Sequence, residues 1–192
     1  MENLKQRIET CTSCPLHKTR NKSIFGEGNQ NAEILLVGEA PGAEEDRVGR
    51  PFIGKSGQLL DKILEACGFT RKTHVFISNI VRCRPPNNRV PSAIEVQTCL
   101  PYLLEQIELI NPQIVITLGA TSLKKLLEDE SYKIGVIRGN WINWNGRLVM
   151  PVYHPAALLR NPNLKHDTWE DFKKVIDKYR QLVDPNHFSP HY

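Results

Sequence analysis

"EILLVGEAPGAEED" spans residues 33–46, and the fold turns on how it is read. After Glu33 come Ile34, Leu35, Leu36 and Val37, with no polar residue alternating among them. The run is too short for a helix and too uniform for a strand with one wet face. It fits a strand buried on both faces, as in parallel sheets. Gly38, Pro41 and Gly42 then break it. Glu39, Glu44, Glu45 and Asp46 crowd the turn where the strand hands over to a loop.

Two further runs read the same way: "HVFISNIV" (74–81) and "QIVITLG" (113–119). Helical patterns separate them. "GQLLDKILEAC" (57–67) carries Leu59, Leu60, Ile63 and Leu64 on one face, with Ser56 expected to cap its start and Gly68 its end. In "PSAIEVQTCLPYLLEQIELI" (91–110), Ser92 and Glu95 have capping-box spacing, and Pro101 predicts a kink or a split. "TSLKKLLED" (121–129) reads as a short helix. "GNWINWNGRLVMPVY" (139–153) carries Asn145-Gly146, a hairpin signal, and ends in a strand. A last helix is expected from about Asp167, with Glu170 at capping distance, to about Val183. Phe172, Val175, Ile176 and Tyr179 line its inner face. Residues 185–192 are expected to form a loose tail.

Strands in alternation with helices imply the α/β class, a mostly parallel sheet covered on both faces. Ligands in such folds bind beyond the carboxyl ends of the strands. Residues 38–52, 79–91, 119–121 and 153–160 then share one rim. "GEAPGAEED" (38–46) and "VYHPAALLR" (152–160) meet there although they are far apart in sequence.

The bulk numbers set bounds. At 192 residues the chain fits a single domain, residues 1–192, with a sizeable core. No apolar run approaches the roughly 20 residues of a membrane helix, and "MENLKQRIETC" has no apolar signal region. A cytoplasmic protein with no membrane partner is expected. A net charge of +4 permits a nucleic-acid partner without demanding one. Arg82, Arg84 and Arg89 cluster in a Pro-rich stretch, and Arg160 lies beside the 152–160 motif.

Cys11 and Cys14 form a C-x2-C pair followed by Pro15, and Cys83 and Cys99 flank the Arg/Pro-rich loop. Cys67 falls on the apolar side of a helix and reads as core. An odd cysteine count and no sign of secretion argue against disulfides. Four cysteine ligands suit zinc or a [4Fe–4S] cluster, and spacing does not separate the two. Either would pin the N-terminus to the basic loop.

Taken together, "CTSCPLH" (11–17), "GEAPGAEEDRVGRPFIGKSGQLLD" (38–61), "ISNIVRCRPPNNR" (77–89), Cys99, "VITLGA" (115–120) and "YHPAALLRNP" (153–162) resemble the family 4 uracil-DNA glycosylases, the iron–sulfur class of bacteria and archaea. The resemblance runs in order from about residue 3 to 183. It implies a three-layer α/β/α sandwich on a central four-stranded parallel sheet. It implies a [4Fe–4S] cluster held by Cys11, Cys14, Cys83 and Cys99. The activity implied is cleavage of the bond between uracil and deoxyribose in DNA, without strand nicking. The partner is single- or double-stranded DNA containing uracil, and a monomer is expected.

That chemistry requires a base flipped into a pocket. Phe52 suits the stacking platform. The Asn79 amide suits the N3–H and O4 of uracil, a donor pattern that cytosine reverses. A His154 donor at uracil O2 would stabilise the charge of the departing base. Leu158 is expected to wedge into the base stack, and Arg160 and Arg84 to hold DNA phosphates. By resemblance Glu39 positions water or balances the sugar cation. Gly38 and Gly42 allow close approach of backbone to base and a tight turn. Glu45 is the second candidate carboxylate, lining the side where a thymine methyl would go. Glu44 and Asp46 are expected to face solvent or fix the loop.

Two departures stand out. Other uracil glycosylase families carry Asp or Asn where this chain has Ala40, and many relatives carry an acidic residue at Ala43. No inserted basic loop with His appears near 83–91, so ordinary turnover is expected rather than covalent capture of uracil. Two other readings compete: a nucleic-acid-binding iron–sulfur module without catalysis, and an electron-transfer protein. The first has no need for Phe52, Asn79 and His154 together, and for the second the sequence offers no flavin or partner site.

Overall fold

The three runs read as buried become strands β2 (Ile34–Gly38), β3 (Val75–Asn79) and β4 (Ile114–Leu118), with every residue buried. The computed structural model describes all 192 residues. The remaining strands are β1 (Glu27–Gly28), β5 (Ile142–Trp144) and β6 (Arg147–Val152). The helices are α1 (Glu2–Glu9), α2 (Ala43–Val48), α3 (Lys55–Ala66), α4 (Ala93–Ile110), α5 (Ala120–Leu127), α6 (Ile134–Ile137), α7 (Pro155–Arg160) and α8 (Leu164–Leu182).

The sheet order is β1-β3-β2-β4-β6-β5. The central four strands are parallel, with Leu36 opposite Ile77 on one side and Ile116 on the other. Alternate residues of β2 feed two cores. Ile34 and Leu36 pack with Leu60, Leu64, Phe172 and Ile176 of α3 and α8. Leu35 and Val37 pack with Val96, Leu103 and Ile107 of α4 and Leu126 of α5. This is the α/β/α sandwich, and burying each such side chain contributes about 1.5–3 kcal/mol.

Five features differ from the sequence expectation. The sheet has six strands rather than four, because antiparallel β1 and β5 are added at its two edges. Two- and three-residue edge strands carry no readable periodicity. The Asn145-Gly146 turn that joins β5 to β6 has positive φ at both residues, as a type I′ turn requires.

Helix α3 starts at Lys55 behind Gly54, so Ser56 lies inside its first turn and is not the cap. The N–H groups of Ile53 and Gly54 are taken by the distant Glu45 carboxylate. Helix α4 has the expected Ser92/Glu95 capping box, but Pro101 does not split it. Pro101 is exposed, as is Gln97, whose carbonyl loses its donor on a face that water reaches. Helix α8 begins a turn before Asp167, whose carbonyl accepts from Arg138 instead.

The tail is not loose. His187 and Ser189 are buried. His187 Nε2 donates to Cys67 O at 2.8 Å and Ser189 Oγ to Ala66 O at 3.0 Å, while the His187 ring stacks on Phe69 at 4.6 Å. The tail therefore satisfies carbonyls left open at the end of α3. No helix is long and apolar enough to cross a membrane.

Candidate active site

The carboxyl ends of the four parallel strands open into a cavity of about 550 Å³. Its walls include Glu39 beyond β2, Asn79 at the end of β3, Gly119 and Thr121 beyond β4, and His154 beyond β6. Phe52 comes from the loop between α2 and α3, with Lys55, Arg89 and Arg160 around the wall. Glu39, Gly42, Glu45, Phe52, Asn79, His154 and Arg160 therefore come together.

Gly38 explains the close packing at the floor. A methyl group there would collide with Asn79 Oδ1 and lie 2.6 Å from Phe52 Cζ. Asn79 is 3% exposed, and its Oδ1 has no hydrogen-bond partner. A buried acceptor left unpaired costs about 1–3 kcal/mol, so this oxygen is poised for a ligand donor.

Phe52 has φ of 51°, a left-handed conformation uncommon for an aromatic residue. Two elements hold it. Arg71 donates to Pro51 O at 2.8 Å, to Phe52 O, and to Asp61 Oδ1 at 2.7 Å. From the other side, Glu45 accepts the N–H groups of Ile53 and Gly54 at 2.9 and 2.8 Å. Gly57 of α3 has no room for a side chain against the Phe52 carbonyl. The Phe52 ring lies 5.7 Å from that of His154, tilted by 34°.

His154 caps α7: its Nδ1 accepts the Ala156 N–H at 3.0 Å. Burial lowers its pKa to about 4, helped by nearby Arg160 and opposed by Glu45. The ring is therefore neutral at pH 7, with its hydrogen on Nε2. Gly119, at φ of 95°, lets the backbone beyond β4 pass close to His154 Cβ.

The carboxylates divide by their ties. Glu45 is committed to backbone N–H groups, and Gly42 leaves room for its Oε2. Glu44 is exposed and pairs with Arg47 at 2.7 Å. Asp46 is buried and accepts from Asn21 and the Lys22 N–H, fixing the segment before β1 to α2. Glu39 is half-buried on the cavity wall and has none of these ties.

Two residues lie away from the cavity. Leu158 is 2% exposed and packs inward, whereas its neighbour Leu159 is 46% exposed. The phase of α7 turns Leu158 into the core and leaves Leu159 facing outward. Arg84 donates to Asn88 Oδ1 at 2.8 Å and does not reach the cavity. Arg89 lines the wall instead, held at 2.6 Å by buried Glu95. Arg71 and the role of Arg89 left no signal in the sequence beyond ordinary charge.

A second, smaller cavity is lined by Cys11, Cys14, Cys83 and Cys99, with His17, Arg20, Arg82 and Tyr102. Cys67 is elsewhere, in the core, its thiol pushed up to about 12 by burial. Burial likewise raises the Cys99 thiol to about 11, opposed by Arg82. Arg20 Nη1 lies 2.9 Å from Cys83 Sγ, the Arg82 N–H donates to Cys99 Sγ at 3.3 Å, and the Tyr102 hydroxyl to Cys11 Sγ at 3.5 Å. No three Cys, His, Asp or Glu side chains converge on one ion-sized position. The four cysteines all line this one cavity.

Residues 25–177 match the model of the uracil DNA glycosylase superfamily. The chain is 45% identical over 178 residues to a type-4 uracil-DNA glycosylase of Thermotoga maritima, covering 91% of this chain and 92% of that one. It is 46% identical over 186 residues to a type-4 uracil-DNA glycosylase of Saccharolobus solfataricus, covering 91% and 86%. It is 43% identical over 199 residues to one of Pyrobaculum aerophilum, covering 97% and 98%.

Proposed function

The chain belongs to the uracil-DNA glycosylase superfamily, among its type-4 enzymes, and from that premise we propose how its own residues carry the reaction. The enzyme hydrolyses the N-glycosidic bond of uracil in DNA and leaves an abasic site for base excision repair.

The unpaired Asn79 Oδ1 carries the reading. Uracil presents N3–H to that oxygen and O4 to the Asn79 amide N–H. Cytosine presents an acceptor and a donor in the same places, so it would leave both pairs mismatched. Phe52, fixed in its strained conformation, stacks on the flipped base, worth roughly 1–3 kcal/mol.

As the bond breaks, negative charge moves onto uracil O2. The neutral His154 ring offers its Nε2–H there, a fixed donor that needs no proton transfer. Glu39 faces the opposite partner, the oxocarbenium-like sugar, and orients the attacking water. Glu45 is a positioning residue that holds the Phe52 loop. Arg160 and Lys55 at the cavity wall meet the phosphates of single- or double-stranded DNA.

Cys11, Cys14, Cys83 and Cys99 fit a [4Fe–4S] cluster. Four thiols lining one cavity, with guanidinium groups beside them, are a donor set that would suit such a cluster. Bound there, the cluster would cross-link the N-terminal segment, the loop after β3 and α4. Since one chain completes the cavity, a monomer suffices. Work on DNA fits a cytoplasmic location.

The test uses protein purified without oxygen and labelled oligonucleotides carrying one uracil, cytosine, thymine or hypoxanthine. Hot alkali should break the strand only at uracil. Binding without any break would leave a DNA-binding module and overturn the residue roles.

A further inference from the structure

We propose that Arg82 is the buried counter-charge of the four-cysteine cavity, so that this cavity must hold a net negative group for the end of β3 to be at rest. The proposal rests on the cluster reading above.

Arg82 is 2% exposed and ranks among the largest fully enclosed side chains. A guanidinium stays protonated in proteins, and a buried charge demands a partner of opposite sign. Arg82 has none: no carboxylate pairs with it. Its contacts are neutral: Ser78 Oγ, Gln106 Oε1 at 3.0 Å and Phe25 O at 3.4 Å. Its Nε has no partner at all.

Arg82 also lines the cysteine cavity. Its own N–H points at Cys99 Sγ, and Cys83 is the next residue. A free thiol is neutral, but a coordinated cysteine is a thiolate. Negative charge therefore appears beside Arg82 only when the cavity is filled. Arg20 approaches Cys83 from a half-buried position and is partly solvated, so it has no such need.

The far end of Arg82 explains why this matters. Ser78, which it grips, directly precedes Asn79 in β3. A filled cavity thus settles the guanidinium that braces the strand end bearing the base-reading amide. An empty cavity leaves an unpaired cation at that brace.

The test compares wild type with Arg82→Met, Arg82→Gln and Arg82→Lys, purified without oxygen. Iron and sulfide content, bleaching of the visible absorbance by a chelator, and the melting midpoint of each form after cluster removal are measured. Both neutral variants should lose the cluster at least tenfold faster than wild type. Without the cluster, however, they should melt above wild type, because the unpaired charge is gone while Ser78 Oγ and Gln106 Nε2 keep their bonds to Gln106 Oε1 and Phe25 O. Arg82→Lys should retain the cluster like wild type. If Arg82→Met does not fold, Arg82→Gln carries the same comparison.

Equal bleaching rates, or cluster-free neutral variants that melt below cluster-free wild type, would overturn the counter-charge. Wild type with no iron or sulfide would overturn the cluster reading as well, and that outcome is visible before any variant is made.

Discussion

The Phe52 carbonyl accepts a hydrogen bond from the Arg71 guanidinium, which also grips Pro51 O and Asp61. The aromatic wall of the cavity is thus set by a residue 19 positions later in the chain. Arg71→Ala should cut kcat/KM on uracil DNA by about 10–100-fold, the stacking contribution of roughly 1–3 kcal/mol. Arg71→Lys should recover part of it. The free uracil concentration that inhibits the enzyme should rise in step. A merely structural arginine would lower the melting midpoint and leave uracil inhibition unchanged.

Asn79→Ala should separate activity from stability. The variant removes the donor and acceptor that read uracil, so cleavage should fall about 100-fold or more. It also removes an unpaired buried oxygen, so the melting midpoint should hold or rise. A clear loss of stability would show that Oδ1 is satisfied in the free enzyme.

Gly38→Ala would place a methyl group against Asn79 Oδ1 and the Phe52 ring. We expect a folded protein, destabilised by about 1–3 kcal/mol, with cleavage nearly abolished. Denaturant melts and single-turnover assays check the two halves. Near-normal turnover would mean that the two side chains can separate without loss.

His154 makes a pH prediction. Its pKa falls from 6.5 when unfolded to about 4 when folded. Between those values the unfolded chain binds the extra proton, so stability rises with pH. The contribution is complete above about 6.5 and is lost as pH falls toward about 4, where the protonated ring can no longer accept the Ala156 N–H. Wild type should lose stability across that window more steeply than His154→Gln, by a few kcal/mol at most. Parallel curves would refute the neutral, buried ring.

Removal of residues 184–192 should destabilise the protein by about 1–3 kcal/mol, because the open carbonyls of Ala66 and Cys67 lose their donors. His187→Ala should reproduce much of the effect. An unchanged melting midpoint would restore the sequence expectation of a loose end.

The parallel strands and most helices were legible because their signal is local. Ile34 to Val37 is apolar without a break, and the spacing of Phe172, Val175, Ile176 and Tyr179 repeats with the helix. Edge strands β1 and β5 were not, since two or three residues make no pattern. Leu158 and Leu159 show the same limit: adjacent leucines cannot declare which one faces the core until the helix is docked. Arg84 and Arg89 look alike in the sequence, and only their partners, Asn88 and Glu95, separate them.

By itself the sequence determined the α/β class, the buried parallel strands, the rim that gathers "GEAPGAEED" and "VYHPAALLR", and the set of four cysteines. These follow from periodicity and spacing, which are properties of neighbours. Only the tertiary structure decided that His154 is neutral with its hydrogen on Nε2, that Asn79 holds an unpaired oxygen, that Phe52 is strained, and that Arg82 lacks an ion partner. Each depends on burial and on contacts between distant segments, and these exist only once the chain has closed around the site.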